Sequence, residues 1–554
     1  MLEGCIAWPA KFAQDYRAQG YWEDITLYEV LSRTADRLPD KIAVIDSERR
    51  VTYAELKDRV DLLAAGMLSL GLRRLDRVIF QLNNSLELVE AFFALVRIGV
   101  IPILALPAHR RTEIVHFARA SGAVALLIPD SVRNFDYCAM ALEIVAECPE
   151  VRTVIVSGKA GPGQVSLMDL RVRADESKSK TLCSLPRSED VALMLLSGGT
   201  TGLPKLIPRT HADYIYGSTQ SARVAGLGVD TVFLAMLPIA HNYTLGAPGV
   251  LGTIAFGGTT VIAPGTAADL VFPLIERERV SLICAAVPLV PKWLASDLFD
   301  RYDLSSLKVF MNGGAKLAPE LRRRIEEKFC CIYQESFGTA EGLLNMTLLD
   351  DPEYLRMNSS GRPVSPADEI KIVDASGQEL PDGQPGELLV RGPYTVRGYY
   401  NAPQINATAF TSDGFYRMGD LVKRIDGYLY LEGRIKDLVN RGGEKISCEE
   451  IENHILAHPK IESVCVVSMP DDVFGEKACA VAILREGCAL SLEELLKFLK
   501  TRDIASFKMP ERLEVVEEFP ISPAGKVLRR DLRAIVAERL AGEQLLDPRS
   551  GSPY

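Results

Sequence analysis

Short runs of Val, Ile and Leu alternate with stretches of helical periodicity along most of this chain, a pattern typical of layered α/β domains. A helix is predicted at residues 86–100. The polar stretch at residues 161–188 is predicted to cross the surface as a loop. Buried strands are predicted at residues 77–82, 123–128, 153–157 and 191–196, and a second group of strands at residues 369–373, 386–391 and 428–432.

The pattern changes near residue 436. Beyond it, apolar runs at residues 464–468 and 478–484 flank helical segments, which predicts a small α+β domain. A chain of 554 residues is also too long for one hydrophobic core. We therefore expect an α/β protein with three parts. They are a large N-terminal domain of layered α/β subdomains and a β-rich subdomain over residues 1–435, a small α+β C-terminal domain over residues 436–540, and a tail over residues 541–554.

Composition excludes several classes of protein. Apolar residues make up 47% and charged residues 25% of the chain, and the net charge of −10 argues against a partner that is nucleic acid or an anionic membrane. Eleven cysteines without a Cys-x-x-Cys pair are typical of reduced thiols in a cytosolic protein. The chain shows neither a long apolar run nor a signal peptide, so we expect a cytoplasmic location and no membrane span.

The most informative segment follows the strand predicted at residues 191–196. Residues 196–205 read LSGGTTGLPK, with three glycines, three hydroxyl side chains and a lysine. Glycines let backbone N–H groups approach an anion, hydroxyls donate hydrogen bonds, and the lysine adds positive charge. The spacing is not that of a Walker A loop. The segment therefore predicts a phosphate site beyond the end of a strand, with a plain glycine-rich turn as the alternative.

Four further segments follow in order along the chain. They read FGTAE at residues 337–341, YRMGD at 416–420, GRIKD at 433–437 and PISPAGK at 520–526. With the glycine-rich segment, they resemble the signature segments of the adenylate-forming superfamily, which includes acyl-CoA synthetases, luciferases and the adenylation domains of nonribosomal peptide assembly. The resemblance extends from about residue 8 to about residue 540.

This resemblance implies ATP and Mg²⁺ as cofactors and the transfer of AMP to a carboxylate, with loss of pyrophosphate. Such a reaction concentrates negative charge, so cations and hydrogen-bond donors should carry the catalysis. Lys526 is expected to bridge the carboxylate and the α-phosphate, Thr339 to contact the α-phosphate, and Glu341 to hold Mg²⁺. The remaining phosphates are assigned to Ser197, Gly198, Gly199, Thr200, Thr201, Gly202 and Lys205.

The nucleoside is placed by the same resemblance. Asp420 has two acceptor oxygens for the ribose hydroxyls. Arg434 is expected either beside Asp420 or on the α-phosphate, with a structural ion pair between Asp420 and Arg434 as the alternative. Met418 replaces the threonine that is usual in this segment. The adenine is expected to lie against Gly313, Gly314, Ala315 and Lys316, with Phe337 and Gly338 nearby.

A second reaction is implied for the C-terminal part. Lys436 matches the hinge about which the small domain rotates, which would replace Lys526 by the loop at residues 440–445 for thioester formation. Gly442 and Gly443 would leave room there for a pantetheine arm, with a simple β-turn as the alternative. Too few residues follow Lys526 for a carrier domain, so the phosphopantetheine-bearing carrier protein is expected to be a separate chain.

The acid is indicated by residues 241–243, which read HNY. With residues 104–110, 205–211 and 391–395, they resemble the aryl acid ligases that activate 2,3-dihydroxybenzoate or salicylate for siderophore-type assembly lines. In that subgroup the histidine lies near the carboxylate, the asparagine meets the ortho substituent and the tyrosine packs on the ring. These roles would fall to His241, Asn242 and Tyr243, and Asn242 cannot supply the charge that an amino acid substrate requires.

Two residues depart from the subgroup. Catechol-activating members carry a serine where this chain has Ala247, so a buried 3-hydroxyl would lack a partner at a cost of roughly 1–3 kcal/mol. Asn312, next to Gly313 in the expected aryl site, stands where the subgroup is apolar. Its amide could read an amino group or a ring nitrogen, or be satisfied by backbone or water. We therefore expect an ortho-hydroxy or ortho-amino aryl acid, salicylate-like before catecholic.

Other functions remain open from the sequence. An aromatic acyl-CoA ligase would share the nucleotide segments and differ in the thiol acceptor. A ligase of the 3-hydroxyanthranilate or 3-hydroxypicolinate type would follow if Asn312 reads the ring. A non-catalytic adenylate-binding protein is disfavoured by Lys526 and Glu341.

Overall fold

The computed structural model of this chain describes two compact units. The first comprises Met1–Ile370 and Val390–Arg417, and the second Lys371–Leu389 and Met418–Tyr554. These units do not coincide with the domain boundary predicted at residue 436, which stays a prediction. The structure describes residues 2–173, 185–197, 204–442, 444–471, 473–502, 504–522 and 527–546.

The larger sheet of the first unit is parallel in its centre. Near-continuous apolar strands such as Leu282–Ala285 are buried on both faces, as expected of parallel strands covered by helices. Among the described residues, the strands in order across the sheet are Arg362–Pro363, Gly342–Met346, Ile332–Thr339, Val309–Gly313, Leu282–Ala285, Val232–Ala235, Thr259–Ile262, Ile42–Asp46 and Arg49–Thr52. The pairs from Ile332–Thr339 to Ile42–Asp46 are parallel, and the outer pairs are antiparallel.

A second sheet of the same unit contains the strand that leads into the glycine-rich segment. In order, its described strands are Leu206–Thr210, Val191–Leu196, Ile101–Leu104, Arg77–Phe80, Ala125–Pro129, Thr153–Ser157 and Val165–Ser166. The four predicted strands in this region are confirmed. The loop predicted over residues 161–188 is wrong for Val165–Ser166 and for the helix Leu167–Arg173. Leu167 and Leu170 are fully buried at helical spacing, a signal that the polar surroundings hid.

Helices cover both sheets. The helix predicted at residues 86–100 ends at Arg97, because Gly99 adopts a left-handed φ of 70°. Thr26, Thr52 and Thr210 each close a capping box at a helix start. The described helices of this unit are Ala10–Ala18, Leu27–Arg37, Tyr53–Ser69, Leu86–Arg97, Arg111–Ser121, Tyr137–Glu147, Leu167–Arg173, His211–Val224, Asn242–Gly246, Gly249–Phe256, Ala268–Glu278, Val290–Leu294, Pro319–Phe329, Glu353–Asn358 and Pro403–Ala409.

The second unit contains a small α+β fold. Ile451, Val466, Ala480 and Leu495 lie in its core. Its described strands pair in the order Glu444–Ile446, Val439–Arg441, Gly475–Leu484 and Ile461–Asp471, with Arg512–Val515 also on Gly475–Leu484. Its helices are Cys448–Leu456, Leu492–Lys500 and Arg529–Leu546. The last helix runs six residues into the range predicted as a tail, 541–554.

A four-stranded sheet precedes this fold and lies mainly in the second unit. Its described strands, in order, are Glu369–Val373, Gly386–Arg391, Tyr416–Ile425 and Tyr428–Arg434, which confirms the second group of predicted strands. None of the described helices is both long and apolar enough to cross a membrane. The α/β class and the large and small parts of the predicted fold are confirmed.

Candidate functional site

The glycine-rich segment is anchored by one pair of residues at its two ends. The N–H of Ser197 donates to the carbonyl of Lys205 at 3.0 Å, and the N–H of Lys205 donates to Oγ of Ser197 at 2.9 Å. These bonds extend the antiparallel pairing of Val191–Leu196 with Leu206–Thr210 by one position. Several predicted site residues lie outside the described residues, namely Gly198, Gly199, Thr200, Thr201, Gly202, Gly443 and Lys526.

Thr339 and Glu341 lie at the end of the strand Ile332–Thr339. Oγ1 of Thr339 donates to the carbonyl of Gly342 at 3.0 Å, which fixes the turn. The carboxylate of Glu341 is buried, and its Oε1 accepts a hydrogen bond of 2.7 Å from the hydroxyl of Tyr399. The ammonium of Lys205 lies 4.7 Å from the centre of the same tyrosine ring. Tyr399 therefore contacts two of the predicted phosphate and metal residues.

A cavity in the first unit brings Asn242 and Thr339 to one space. Its lining also includes Arg209, Tyr214, Ser218 and Gly246. The sequence analysis assigned Asn242 to the ring and Thr339 to the α-phosphate. Both residues therefore border one small cavity, and their roles stay predictions.

His241 caps the short helix Asn242–Gly246. Its Nδ1 accepts a hydrogen bond of 3.3 Å from the N–H of Tyr243. Because Nδ1 is the acceptor, the neutral ring carries its proton on Nε2 and donates there. Asn242 follows at the first helical position, and its Oδ1 accepts a hydrogen bond of 2.9 Å from Tyr214.

The ring of Tyr243 packs on Gly313. A Cβ at Gly313 would lie 2.8 Å from Cε2 of Tyr243, so only glycine leaves room for the ring. Burial raises the pKa of Tyr243 well above its ordinary value, so its phenol stays protonated. Ala247 is buried after the same helix, but the described residues that line the cavity include Gly246 and not Ala247.

Asn312 is fully buried, and only one of the two polar atoms of its side-chain amide has hydrogen-bond partners among the described residues. Its Nδ2 donates to the carbonyl of Ala315 at 2.9 Å and, at 3.4 Å, to Oε2 of Glu335 on the neighbouring strand. Oε1 of Glu335 pairs with buried Arg322 at 3.1 Å. Oδ1 of Asn312 has no hydrogen-bond partner within the described part of the chain. The amide therefore offers an acceptor rather than a donor.

The residues predicted to bind the ribose and those predicted to bind the adenine are described for each compact unit separately. In the second unit, Nε of Arg434 lies 3.1 Å from Oδ1 of Asp420. The two residues are paired on neighbouring antiparallel strands, so the predicted ion pair between strands is present. Their role toward ribose stays a prediction.

In the first unit, the residues predicted to contact adenine lie on two neighbouring parallel strands and the turn after one of them. Gly314 has a left-handed φ of 84°, which favours glycine in that turn. Gly338 admits no side chain, because a Cβ there would lie 2.2 Å from the carbonyl oxygen of Leu343. Ala315 and Lys316 follow Gly314, and Phe337 precedes Gly338.

The predicted hinge and pantetheine residues lie in the second unit. Lys436 is the middle residue of the short 3-10 helix Ile435–Asp437. Gly442 has a left-handed φ of 59°, and its N–H donates to the carbonyl of Phe474 at 2.8 Å. A Cβ at Gly442 would lie 3.1 Å from the ring of Phe474. A side chain here would therefore crowd the turn.

Arg209 lies in a segment that the sequence analysis singled out, residues 205–211, but it was given no role there. It is buried and lines the cavity, with Nε donating to Asp213 at 2.7 Å. Its Nη1 donates to the carbonyl of Ala340 at 2.8 Å, and its Nη2 to that of Tyr394 at 3.0 Å. The charge thus fixes the backbone immediately before Glu341. An arginine inside the otherwise apolar strand Leu206–Thr210 was the available signal.

A buried carboxyl supports another wall of the cavity. The hydroxyl of Tyr394 donates to Oδ2 of Asp368 at 2.6 Å and accepts from the N–H of Leu344 at 3.0 Å. Burial raises the pKa of Asp368 to about 8, against the opposing effect of the Tyr394 hydroxyl. Ser218 on the same cavity has a buried hydroxyl without a hydrogen-bond partner among the described residues.

Comparison with known proteins follows the same division of the chain. The AMP-binding enzyme family model matches residues 31–400, and the model of the AMP-binding enzyme C-terminal domain matches residues 450–526. The chain is 45% identical to a 2,3-dihydroxybenzoate-AMP ligase of Bacillus subtilis, over 98% of this chain and 99% of that one. It is 43% identical to a salicyl-AMP ligase / salicyl-S-ArCP synthetase of Mycobacterium tuberculosis, over 97% and 95%.

Solved structures agree with this likeness. The apo structure of MbtA from Mycobacterium smegmatis superposes with a TM-score of 0.74 at 42% identity, and the match covers 96% of this chain and 98% of that one. The similarity thus includes both the large and the small part of the fold.

Proposed function

Because the chain belongs to the AMP-binding enzyme family and, within it, to the aryl acid–AMP ligases, we propose that it activates an ortho-hydroxy aryl carboxylic acid with ATP. It then transfers the aryl group to the phosphopantetheine thiol of a separate carrier protein. The observation that carries the first step is the similarity to named aryl acid–AMP ligases over nearly the whole chain, which includes the segments of Asn242 and Thr339.

The acid binds with its ring against Tyr243 and its carboxylate toward His241. Because Nδ1 of His241 accepts from the N–H of Tyr243, a proton on Nε2 suits a carboxylate oxygen. Thr339, which lines the same small cavity as Asn242, is assigned to the α-phosphate that the carboxylate attacks. This arrangement holds the two reactants together and so lowers the entropic part of the barrier.

Three residues offset the negative charge of the phosphates and the carboxylate. Lys205, held at the end of the glycine-rich segment, donates to the phosphates, and Glu341 offers a hard carboxylate oxygen that fits Mg²⁺. When bound, Mg²⁺ neutralises part of the charge that develops as pyrophosphate leaves. Lys526 supplies the cation between carboxylate and α-phosphate, as the resemblance of residues 520–526 implies.

The ring substituents are chosen by residues around the aryl site. Asn242 presents its amide N–H₂ and favours an ortho hydroxyl, which accepts that bond. Ala247 offers no hydrogen bond, which favours salicylate over 2,3-dihydroxybenzoate. Asn312 presents Oδ1, so an amino group on the ring suits it better than a ring nitrogen.

Mass spectrometry of the second step tests the proposal as a whole. The enzyme is incubated with ATP, Mg²⁺ and salicylate, together with a phosphopantetheine-loaded aryl carrier domain or with coenzyme A. We expect acylation of the carrier domain to be faster than acylation of coenzyme A at equal concentration. Efficient acylation of coenzyme A with no carrier product would instead assign the chain to the aromatic acyl-CoA ligases.

A further inference from the structure

Tyr399 joins two groups that act on the nucleotide in the proposed function. Its hydroxyl donates to Oε1 of Glu341 at 2.7 Å, and the ammonium of Lys205 lies 4.7 Å from the centre of its ring. Tyr399 lies 58 residues from Glu341 in sequence and outside every segment that the sequence analysis singled out. All three side chains belong to the first compact unit.

The backbone of Tyr399 is clamped by one side chain. Oδ1 of Asn406 accepts from the N–H of Tyr399 at 2.8 Å, and Nδ2 of Asn406 donates to the carbonyl of Tyr399 at 2.9 Å. The edge of the Phe410 ring packs against the tyrosine ring, with the centroids 6.1 Å apart. Both the backbone and the ring plane are therefore fixed, which restricts where the hydroxyl can donate.

The hydroxyl itself is buried between two partners. Besides Glu341, it lies 3.3 Å from the hydroxyl of Tyr416. The O–H of Tyr399 is therefore placed to donate to the carboxylate of Glu341.

We infer that Tyr399 is a positioning residue for the metal and the phosphates: its hydroxyl orients the Glu341 carboxylate toward Mg²⁺, and its ring supports the Lys205 ammonium. This inference rests on the proposed function, in which Glu341 holds Mg²⁺ and Lys205 contacts the phosphates. With Oε1 held by Tyr399, Oε2 is the oxygen presented to the metal. Partners that orient a metal ligand in this way commonly change metal affinity by about 10- to 100-fold when removed.

Two substitutions separate the contributions of Tyr399. Tyr399→Phe removes the hydroxyl and keeps the ring, so it should disturb Glu341 while Lys205 keeps its aromatic neighbour. Tyr399→Leu removes both. Tyr400→Phe is the matched control, because Tyr400 is the next residue and its buried ring packs in the hydrophobic core instead.

Equilibrium binding of α,β-methylene-ATP, an analogue that is not cleaved, provides the readout. Its dissociation constant is measured in the absence of metal and with saturating Mn²⁺, whose bound fraction is followed by electron paramagnetic resonance. Wild type and Tyr400→Phe should gain affinity on adding Mn²⁺. In Tyr399→Phe, the gain in affinity on adding Mn²⁺ should be about tenfold smaller than in the wild type. Without metal, Tyr399→Phe should bind the analogue as tightly as the wild type does. Tyr399→Leu should also bind the metal-free analogue more weakly.

The outcomes distinguish this inference from the proposed function. If the wild type fails to bind the analogue, or binds it without any gain from Mn²⁺, the assignment of Glu341 is lost and the inference with it. If the wild type shows the gain and Tyr399→Phe retains it within twofold, the inference alone is overturned. Thermal unfolding of each variant shows whether it has folded. If Tyr399→Phe has not folded, Tyr399→His replaces it. Because histidine keeps a ring and a hydrogen-bond donor, Tyr399→His should retain the gain from Mn²⁺ that Tyr399→Leu loses.

Discussion

The hydroxyl of Tyr214 donates a hydrogen bond of 2.9 Å to Oδ1 of Asn242. This bond fixes the orientation of the Asn242 amide, because its oxygen is engaged and its N–H₂ group remains to donate. Both residues line the cavity of the candidate site. In the proposed function, the ortho substituent of the acid therefore meets a donor at this position and has to accept.

The first prediction concerns that ortho substituent. Salicylate should be preferred over anthranilate, because a hydroxyl accepts a hydrogen bond better than an aromatic amine does; one lost bond corresponds to about tenfold in kcat/KM. Tyr214→Phe frees the Asn242 amide to rotate, so it should lower the ratio of kcat/KM for salicylate to kcat/KM for anthranilate. Steady-state pyrophosphate exchange with both acids measures it. A wild type that prefers anthranilate would contradict the assigned orientation.

The second prediction concerns a second ring hydroxyl. Ala247→Ser should raise kcat/KM for 2,3-dihydroxybenzoate relative to salicylate about tenfold, because it adds one hydrogen bond of roughly 1.4 kcal/mol. Ser218→Ala is the matched variant, since it removes a hydroxyl from the cavity itself. It should leave the ratio unchanged. A fall in the ratio in Ser218→Ala would assign the second hydroxyl to Ser218 and refute the argument from Ala247.

Asn312 supplies the third prediction. Because its Nδ2 is bonded to Ala315 and its Oδ1 lacks a described partner, the residue should favour acids with a hydrogen-bond donor on the ring. We expect one of the aminosalicylates to exceed salicylate in kcat/KM, and Asn312→Val to remove that advantage by about tenfold. Pyrophosphate exchange with 3-, 4- and 5-aminosalicylate, in the wild type and in Asn312→Val, measures this advantage. If Asn312→Val lowers kcat/KM equally for every acid, Asn312 is structural.

The fourth prediction concerns pH and stability. Asp368, with its pKa raised to about 8, keeps its proton in the folded state, whereas in the unfolded chain it ionises near pH 4. Between these values the unfolded state binds fewer protons, so stability falls as pH rises, by up to about 1.4 kcal/mol per pH unit. Asp368→Asn should remove this dependence, as measured by urea unfolding between about pH 6.5 and pH 8.

Buried His211 changes stability in a different pH window from Asp368. Burial lowers the pKa of His211 to about 3, while an unfolded histidine titrates near pH 6.5, so its contribution rises with pH below about 6.5 and is constant above. An equal slope for wild type and Asp368→Asn above pH 6.5 would show that Asp368 is ionised in the folded protein.

Much of the fold could be predicted from local pattern. Buried strands such as Val191–Leu196 are continuous apolar runs, and their period and length are sequence properties. The helix Leu167–Arg173 was missed because two leucines in a polar stretch give too weak a period. The end of the helix Leu86–Arg97 depended on the conformation of one glycine, Gly99.

The site was predictable where it is built from contiguous segments. Residues 196–205, 241–243 and 337–341 carried recognisable chemistry in their own order of side chains. The sequence around Tyr214 and Tyr399 gave no such signal. Tyr214 is hydrogen-bonded to a residue 28 positions away in the chain, and Tyr399 to a residue 58 positions away. Such contacts depend on how the sheets pack, which no local spacing encodes.

The central claim is that this chain joins AMP to an ortho-hydroxy aryl acid, and acid-dependent exchange of labelled pyrophosphate into ATP tests it most directly. We expect salicylate to support exchange in the wild type and amino acids to support none. Lys526→Ala should lower the rate by about 100-fold or more, since the proposed cation acts on charge at the reacting centre. Exchange with an amino acid but with no aryl acid, or near-normal exchange in Lys526→Ala, would contradict the account.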